Sequence, residues 1–164
     1  MEYVRAEMNN RYQQFSELGV RNLKGFNEKV GEEKKLSSIV VLIDEYMEMM
    51  FEAPKDLEAI VASVARLGRA AGIHLVMATQ RPSSDVITGA IKSNIPCRAS
   101  FTVVDWRESK TIIDRTGAER LLGSGDMLYS SAVNSFPVHA QAAYVSEGEI
   151  DSVIAYVKAG NKTP

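Results

Sequence analysis

Two carboxylates, Asp44 and Glu45, directly follow the apolar run Ile39-Val40-Val41-Leu42-Ile43. Apolar residues ending in Asp-Glu make the Walker-B pattern, and the chemistry explains the order. A rigid strand fixes the first carboxylate to hold Mg²⁺ through its water shell. The second carboxylate then sits where it orients or deprotonates an attacking water. On this reading Asp44 is the nucleotide- and Mg²⁺-associated residue and Glu45 the catalytic one. A strand ending in a solvated acidic turn carries the same letters, so the pattern is weighed together with its neighbours.

The next apolar run closes on Ala78-Thr79-Gln80-Arg81-Pro82. If the two strands are adjacent, Thr79 and Gln80 lie beside Asp44 and Glu45. A neutral polar side chain there senses a γ-phosphate or positions the water, which makes Thr79 a candidate nucleotide contact and Gln80 a candidate catalytic residue. A polar turn stopped by Pro82 is the plainer account of the same letters.

These residues need a scaffold that places strand ends side by side. Residues 38–43 and 73–78 are short, continuous apolar runs of the kind buried on both faces of a sheet. Between them, Leu57, Ile60, Val61, Val64 and Leu67 form a helical stripe over residues 55–71, ended by Gly72. Residues 2–18 fit an amphipathic helix stopped at Gly19, and 31–38 a charged connector. Further on, the pattern predicts a helix over 84–93 capped by Ser83 or Ser84, and a strand over 96–104. A helix over 107–114 and strands over 127–129 and 137–145 follow. A last helix over 146–157 opens on the capping-box pair Ser146 and Glu149. Alternating strands and helices imply a mostly parallel sheet in a three-layer α/β domain, with antiparallel edge strands late in the chain. In such sheets the chemistry gathers at the carboxyl ends of the strands.

The totals narrow the partners. The 164 residues suffice for one cored domain, with 45% hydrophobic and 24% charged residues. The net charge is −2, so no global basic field draws in nucleic acid. Any such contact must come from local Lys and Arg. Cys97 is the lone cysteine, which suits a reducing, cytoplasmic compartment, and no Cys/His cluster has metal-ligand spacing. No apolar run is long enough to span a bilayer. His74 and His139 sit in strand patterns and read as structural. The Met47, Met49 and Met50 group reads as packing.

Several runs taken together resemble the FtsK/SpoIIIE family. They are residues 72–82 (GIHLVMATQRP), 85–89 (DVITG), 91–96 (IKSNIP) and 117–128 (GAERLLGSGDML), with Leu18-Gly19-Val20-Arg21-Asn22 upstream. They occur in family order from Glu7 to Lys158. The resemblance implies a RecA-like P-loop NTPase core, with residues 1–36 a helical and linker segment and 37–164 the Walker-B half of the motor. It implies ATP and Mg²⁺ as cofactors, a hexameric ring, and double-stranded DNA as the partner pumped through the channel. The setting would be chromosome segregation, cell division or sporulation, with a parent tethered to the inner face of the membrane. In a ring, Arg81, Lys92 and Arg98 flank a segment that faces the channel and touches phosphates. Arg66 and Arg69, three apart on one helix, become candidates for a finger reaching a neighbouring subunit's nucleotide.

One departure carries more weight than any single match. No Gly-rich loop ending in Gly-Lys-Ser/Thr occurs in these 164 residues, so the phosphate cradle of the family is missing from them. Isolated, the chain is expected to be nearly inactive. Cys97 stands where the family usually has Thr, and Lys110 where it usually has Arg; the latter weakens any role that needs a guanidinium. Two alternatives stay open: a related ring ATPase that moves protein in secretion, and a non-catalytic module that docks onto intact motors.

Overall fold

In a computed structural model, the structure describes residues 1–52 and 54–160. The chain divides into two compact units, Met1–Cys97 and Arg98–Pro164.

The first unit is built on two strands, β1 (Ile39–Ile43) and β2 (Ile73–Met77), paired in parallel from Ile39↔Ile73 to Ile43↔Met77. The crossover between them contains α3 (Tyr46–Glu52) and α4 (Pro54–Ala71). Leu57, Ile60, Val61 and Val64 of α4 are buried, as their spacing predicts, while Leu67 at the end of the stripe is exposed. They join two clusters. One gathers Met8, Phe15, Phe26, Ala71 and Ile73. The other gathers Ile43, Tyr46, Met50, Val86 and Ile91. Met50 and the half-buried Met47 and Met49 pack in or against this second cluster, as expected. At Gly68 a Cβ would lie 2.8 Å from the Ile73 carbonyl oxygen, so helix and strand approach here only because that residue has no side chain.

The first 36 residues share this core. Helix α1 (Glu2–Glu17) buries Met8 and Phe15, and packs on α4. Its Arg11 is 4% exposed and fully engaged. It donates to Glu7 Oε1 at 2.8 Å, the Ser37 carbonyl at 2.9 Å and the Ala71 carbonyl at 2.9 Å. The Ala71 carbonyl is one that the end of α4 leaves without a partner in the helix. One guanidinium therefore ties α1, the approach to β1 and the end of α4. A second helix, α2 (Leu23–Lys29), occupies the stretch before the connector and was not anticipated.

Two further expectations change in this unit. The strands were expected to be covered on both faces, but Val40, Leu42, His74 and Val76 are exposed while the alternate residues pack on the helices. Apolar side chains of both parities had suggested two covered faces; among the described residues only one is covered. The helix expected over 84–93 is shorter: α5 runs Gly89–Asn94. Its cap is Thr88, whose hydroxyl accepts from Ile91 N and donates to Glu58 Oε1 of α4 at 2.5 Å.

The second unit holds β3 (Arg98–Ser100), β4 (Asp126–Ser130) and β5 (Val138–Gln141), an antiparallel sheet of its own in that order. All three strands fall inside or close to their predicted ranges. Helix α6 (Trp106–Ile113) starts at Asp105, whose carboxylate accepts from Arg107 N and Glu108 N. Gly125, at φ +91°, turns the chain into β4 where a Cβ would meet Gln141 Nε2 at 2.8 Å. Helix α7 (Glu147–Gly160) opens with the predicted box: Ser146 N and Oγ donate to Glu149 Oε2, and Glu149 N donates back to Ser146 Oγ. None of its residues is buried, and Ile150, Val153, Ile154 and Val157 lie exposed along one stripe.

Candidate functional site

The carboxyl ends of β1 and β2 come out side by side. Ile43↔Met77 is the last pair of the ladder, and Ala78 N continues it to the Ile43 carbonyl at 2.8 Å. Tyr46 N then bonds the Ala78 carbonyl at 2.9 Å, so the two turns are joined beyond the strands themselves. Asp44 is exposed at this end and Glu45 is half-buried.

Glu45 is the most heavily engaged carboxylate of the site. Its Oε2 accepts the Gln80 backbone N–H at 2.8 Å and its Oε1 the Met47 backbone N–H at 3.2 Å. A hydrogen bond from the Thr79 side chain is the strongest influence holding its pKa below the usual carboxylate value. The two backbone N–H groups and the Arg81 charge act the same way, and burial opposes them. Thr79 Oγ1 also accepts the Arg81 N–H at 3.2 Å. Beneath the turn, Tyr46 is 1% exposed and its hydroxyl has no hydrogen-bond partner. Burial, with the negative charge of Glu58 adding to it, pushes its pKa up to about 12.

The sequence-derived residues thus fall into groups. Asp44, Glu45, Thr79, Gln80 and Arg81 converge on one end of one sheet. Arg66 and Arg69 are exposed on α4, and Lys92 is half-buried on α5, in the same unit. Arg98 belongs to the second unit, where Nη2 pairs with Asp114 Oδ2 at 2.6 Å. His139, read as structural, is an exposed strand residue paired through Nε2 with the buried Asp126 carboxylate. His74 is exposed. Sequence reasoning missed the role of the Met47 and Gln80 backbone amides as donors, because main-chain donors leave no letter in the sequence. No group of three or more His, Cys, Asp or Glu able to hold a metal occurs among the described residues.

An apolar strand covered on one face and ending in two acidic residues lies beside a strand ending in Thr-Gln, and the expected RecA-like P-loop ATPase α/β class holds. The profile of the FtsK/SpoIIIE family matches residues 1–84, and the chain belongs to that family. It is 49% identical over 152 residues to the DNA translocase FtsK of Caldanaerobacter subterraneus subsp. tengcongensis, covering 93% of this chain and 21% of that protein. It is 47% identical to the DNA translocase SftA of Bacillus subtilis, covering 96% and 17%. The chain therefore spans about a fifth of the length of these relatives. Among solved structures, the pCW3 conjugation coupling protein TcpA, determined with ATPγS, superposes with a TM-score of 0.82. It is 31% identical, over 96% of this chain and 47% of that one. EssC (ATPases 2 and 3) from Geobacillus thermodenitrificans shares the fold, with a TM-score of 0.75 at 22% identity over 99% of this chain and 32% of that one.

Proposed function

We propose that this chain is the Walker-B part, residues 37–164 with the helical segment 1–36, of an ATP-driven translocase that pumps double-stranded DNA through a hexameric ring. The observation that carries the reading is the pairing of Glu45 with the Thr79-Gln80 turn across adjacent parallel strand ends. Glu45 takes a proton from the attacking water as its oxygen bonds the γ-phosphorus and the bond to the β-phosphate oxygen breaks. Asp44 holds Mg²⁺ through water, and that ion offsets the phosphate charge when bound. Thr79 and Gln80 face the γ-phosphate, and Arg66 or Arg69 serves a neighbouring subunit's nucleotide. Arg81, Lys92 and Arg98 touch DNA phosphates, giving grip without sequence readout. The setting is cytoplasmic, at chromosome segregation, cell division or sporulation, with the parent tethered to the inner face of the membrane; no helix among the described residues is long and apolar enough to cross one.

The relatives named as DNA translocases stand at 43–49% identity, and this favours DNA over protein as the cargo. The test is the ATPase of the full-length protein with and without double-stranded DNA. Stimulation that Glu45→Gln abolishes supports the reading. Turnover indifferent to DNA removes it. The 164 residues alone are expected to hydrolyse ATP negligibly, since they contain no Gly-Lys-Ser/Thr loop.

A further inference from the structure

We propose that the second unit carries a binding site for a nucleoside polyphosphate, in an open basin lined by the end of α6, the turn after it, and strands β4 and β5. The proposal goes beyond the motor reading and does not rest on it, since every lining residue lies between Lys110 and His139. The basin has a volume of about 810 Å³, inside the roughly 300–1,000 Å³ usual for sites that take small organic ligands. Its lining has two characters. Lys110, Arg115 and Arg120 bring positive charge, and Leu122, Leu128 and Phe136 bring apolar surface. Phosphates need the first and a base the second, so one nucleotide uses both.

The cations are open to an anion. Neither Lys110 nor Arg115 has a carboxylate partner among the described residues, and Arg120 meets only Glu119, at 3.6 Å. The two carboxylates of the lining are already engaged: Asp114 by Arg98 at 2.6 Å, and Asp126 by His139 and by the Leu122 N–H at 2.9 Å. The charge left over in the basin is positive. The frame beneath it is fixed. Ser109, at 0% exposure, donates its hydroxyl to the Arg115 carbonyl at 2.7 Å and accepts the Ala118 N–H at 3.1 Å, which ties both ends of the turn 115–118 to α6. Asp114, at φ +59°, ends the helix in the left-handed conformation and turns the chain there. The Arg115 guanidinium lies over the Phe136 ring at 4.3 Å and donates to the Ser135 carbonyl at 3.4 Å, so its charge is held in place. A charge ordered in advance gives up less entropy when it binds an anion. Duplex DNA, met chiefly through phosphate and sugar, would use the cations and leave the apolar half idle. A nucleotide uses both halves.

The experiment uses the 164-residue chain, which contains no Gly-Lys-Ser/Thr loop and so brings no motor phosphate cradle to compete. A fluorescent ATP analogue is titrated in without Mg²⁺, then displaced with unlabelled ATP, tripolyphosphate or adenosine. Saturable binding is expected, with ATP displacing best, tripolyphosphate less well and adenosine least. Arg115→Ala and Lys110→Ala should each weaken ATP and tripolyphosphate about ten-fold, the size of one lost charge-assisted contact. Leu122, 93% exposed, tests the apolar half. Leu122→Asn should weaken ATP about five-fold and leave tripolyphosphate unchanged. All three side chains are exposed, so urea midpoints should stay at the wild-type value. No saturation below about 1 mM, or binding that all three variants leave unchanged, overturns the proposal. Equal displacement by ATP and tripolyphosphate, with Leu122→Asn silent, overturns the assignment to a nucleotide. A chain that binds a short DNA duplex but no ATP, with Arg115→Ala weakening the duplex, overturns it too and makes the basin part of the DNA grip. None of these results touches the motor reading, which stands or falls on Glu45→Gln in the full-length protein.

Discussion

Gln80 donates its backbone N–H to Glu45 Oε2 at 2.8 Å, joining the ends of two parallel strands through residues 35 apart in sequence. The bond fixes where the carboxylate points, and it uses a main-chain donor that no side-chain substitution at Gln80 removes. Gln80→Ala should therefore leave Glu45 oriented while removing the side-chain amide proposed to face the γ-phosphate. Glu45→Gln removes the proposed base itself. In the full-length protein Glu45→Gln is expected to cut kcat by about 10²-fold or more while nucleotide binding persists. Equilibrium binding of a fluorescent ATP analogue beside steady-state turnover checks both halves of that statement.

Arg11 offers a test of the scaffold. Its guanidinium is buried and bonded to one carboxylate and two carbonyls from separate parts of the first unit. Arg11→Met keeps much of the stem's packing and leaves the Ser37 and Ala71 carbonyls short of a donor. The expected loss is about 2–4 kcal/mol, read as a lower urea midpoint with an unchanged slope. A loss within ~0.5 kcal/mol of zero would show that water replaces the guanidinium at little cost.

Tyr46 predicts the opposite sign. Its ring is packed beneath the site, while its hydroxyl is buried without a partner. Tyr46→Phe keeps the ring and deletes the group that lost its water on folding. Stability should stay level or rise by up to about 1 kcal/mol. Tyr46→Ala, which empties the space, should cost about 3–5 kcal/mol. A destabilising Tyr46→Phe would mean the hydroxyl finds a bond in solution.

How far the sequence carried depended on whether an element's determinants are local. The run Ile39–Ile43 with Asp44-Glu45 after it, and the stripe from Leu57 to Val64, need only their own letters, and both stand where the spacing puts them. The Ser146–Glu149 box is equally local. The start of α5 is not. Thr88 wins over Ser83 and Ser84 as cap, in a place where its hydroxyl also meets Glu58, thirty residues back. Helix α2 is only seven residues long and carries no long stripe, although Asn22 at its cap was a signal to be read: its side chain accepts from Gly25 N. The pairing of Arg98 with Asp114 also depends on the fold, since sixteen residues of turn and helix separate them.

Asp126 sets an acid limit on the second unit. The Leu122 backbone N–H is the chief cause that holds its pKa below the usual 3.8; the bond and charge of His139 add to it, against burial. A carboxylate depressed in the folded state stabilises fully above its unfolded pKa, and loses that contribution as pH falls through the folded value. The carboxylate's own contribution, read as the advantage of wild type over Asp126→Asn, should therefore be present above about pH 4 and be lost as pH falls through the folded value. Urea unfolding of both proteins at a series of pH values, followed by Tyr129 or Trp106 signals, checks the shape. An advantage that persists below the folded pKa would remove the carboxylate's charge from the account.

DNA contact is the reading with the least charge to draw on. The chain's net charge is −2, so attraction must come from a local ring of Lys and Arg repeated in each subunit. Lys92 sits on the short helix α5, tethered through Thr88 to α4, which gives its ammonium a firm base. Arg98 reaches its place in a different way: its guanidinium is already paired with Asp114, so it holds a charge whose field is partly cancelled. Lys92 and Arg98 are both expected to contribute to the grip. In the full-length protein Lys92→Ala and Arg98→Ala should each weaken DNA-stimulated ATPase and translocation, and the double variant should weaken them most. The loss should be the same on unrelated DNA sequences, because phosphates carry no sequence. The slope of log binding constant against log salt should become shallower by about one unit for each phosphate contact removed in the bound subunits. Equal translocation by wild type and the double variant would move the contact to Arg81, which lies directly beyond the Gln80 that holds Glu45.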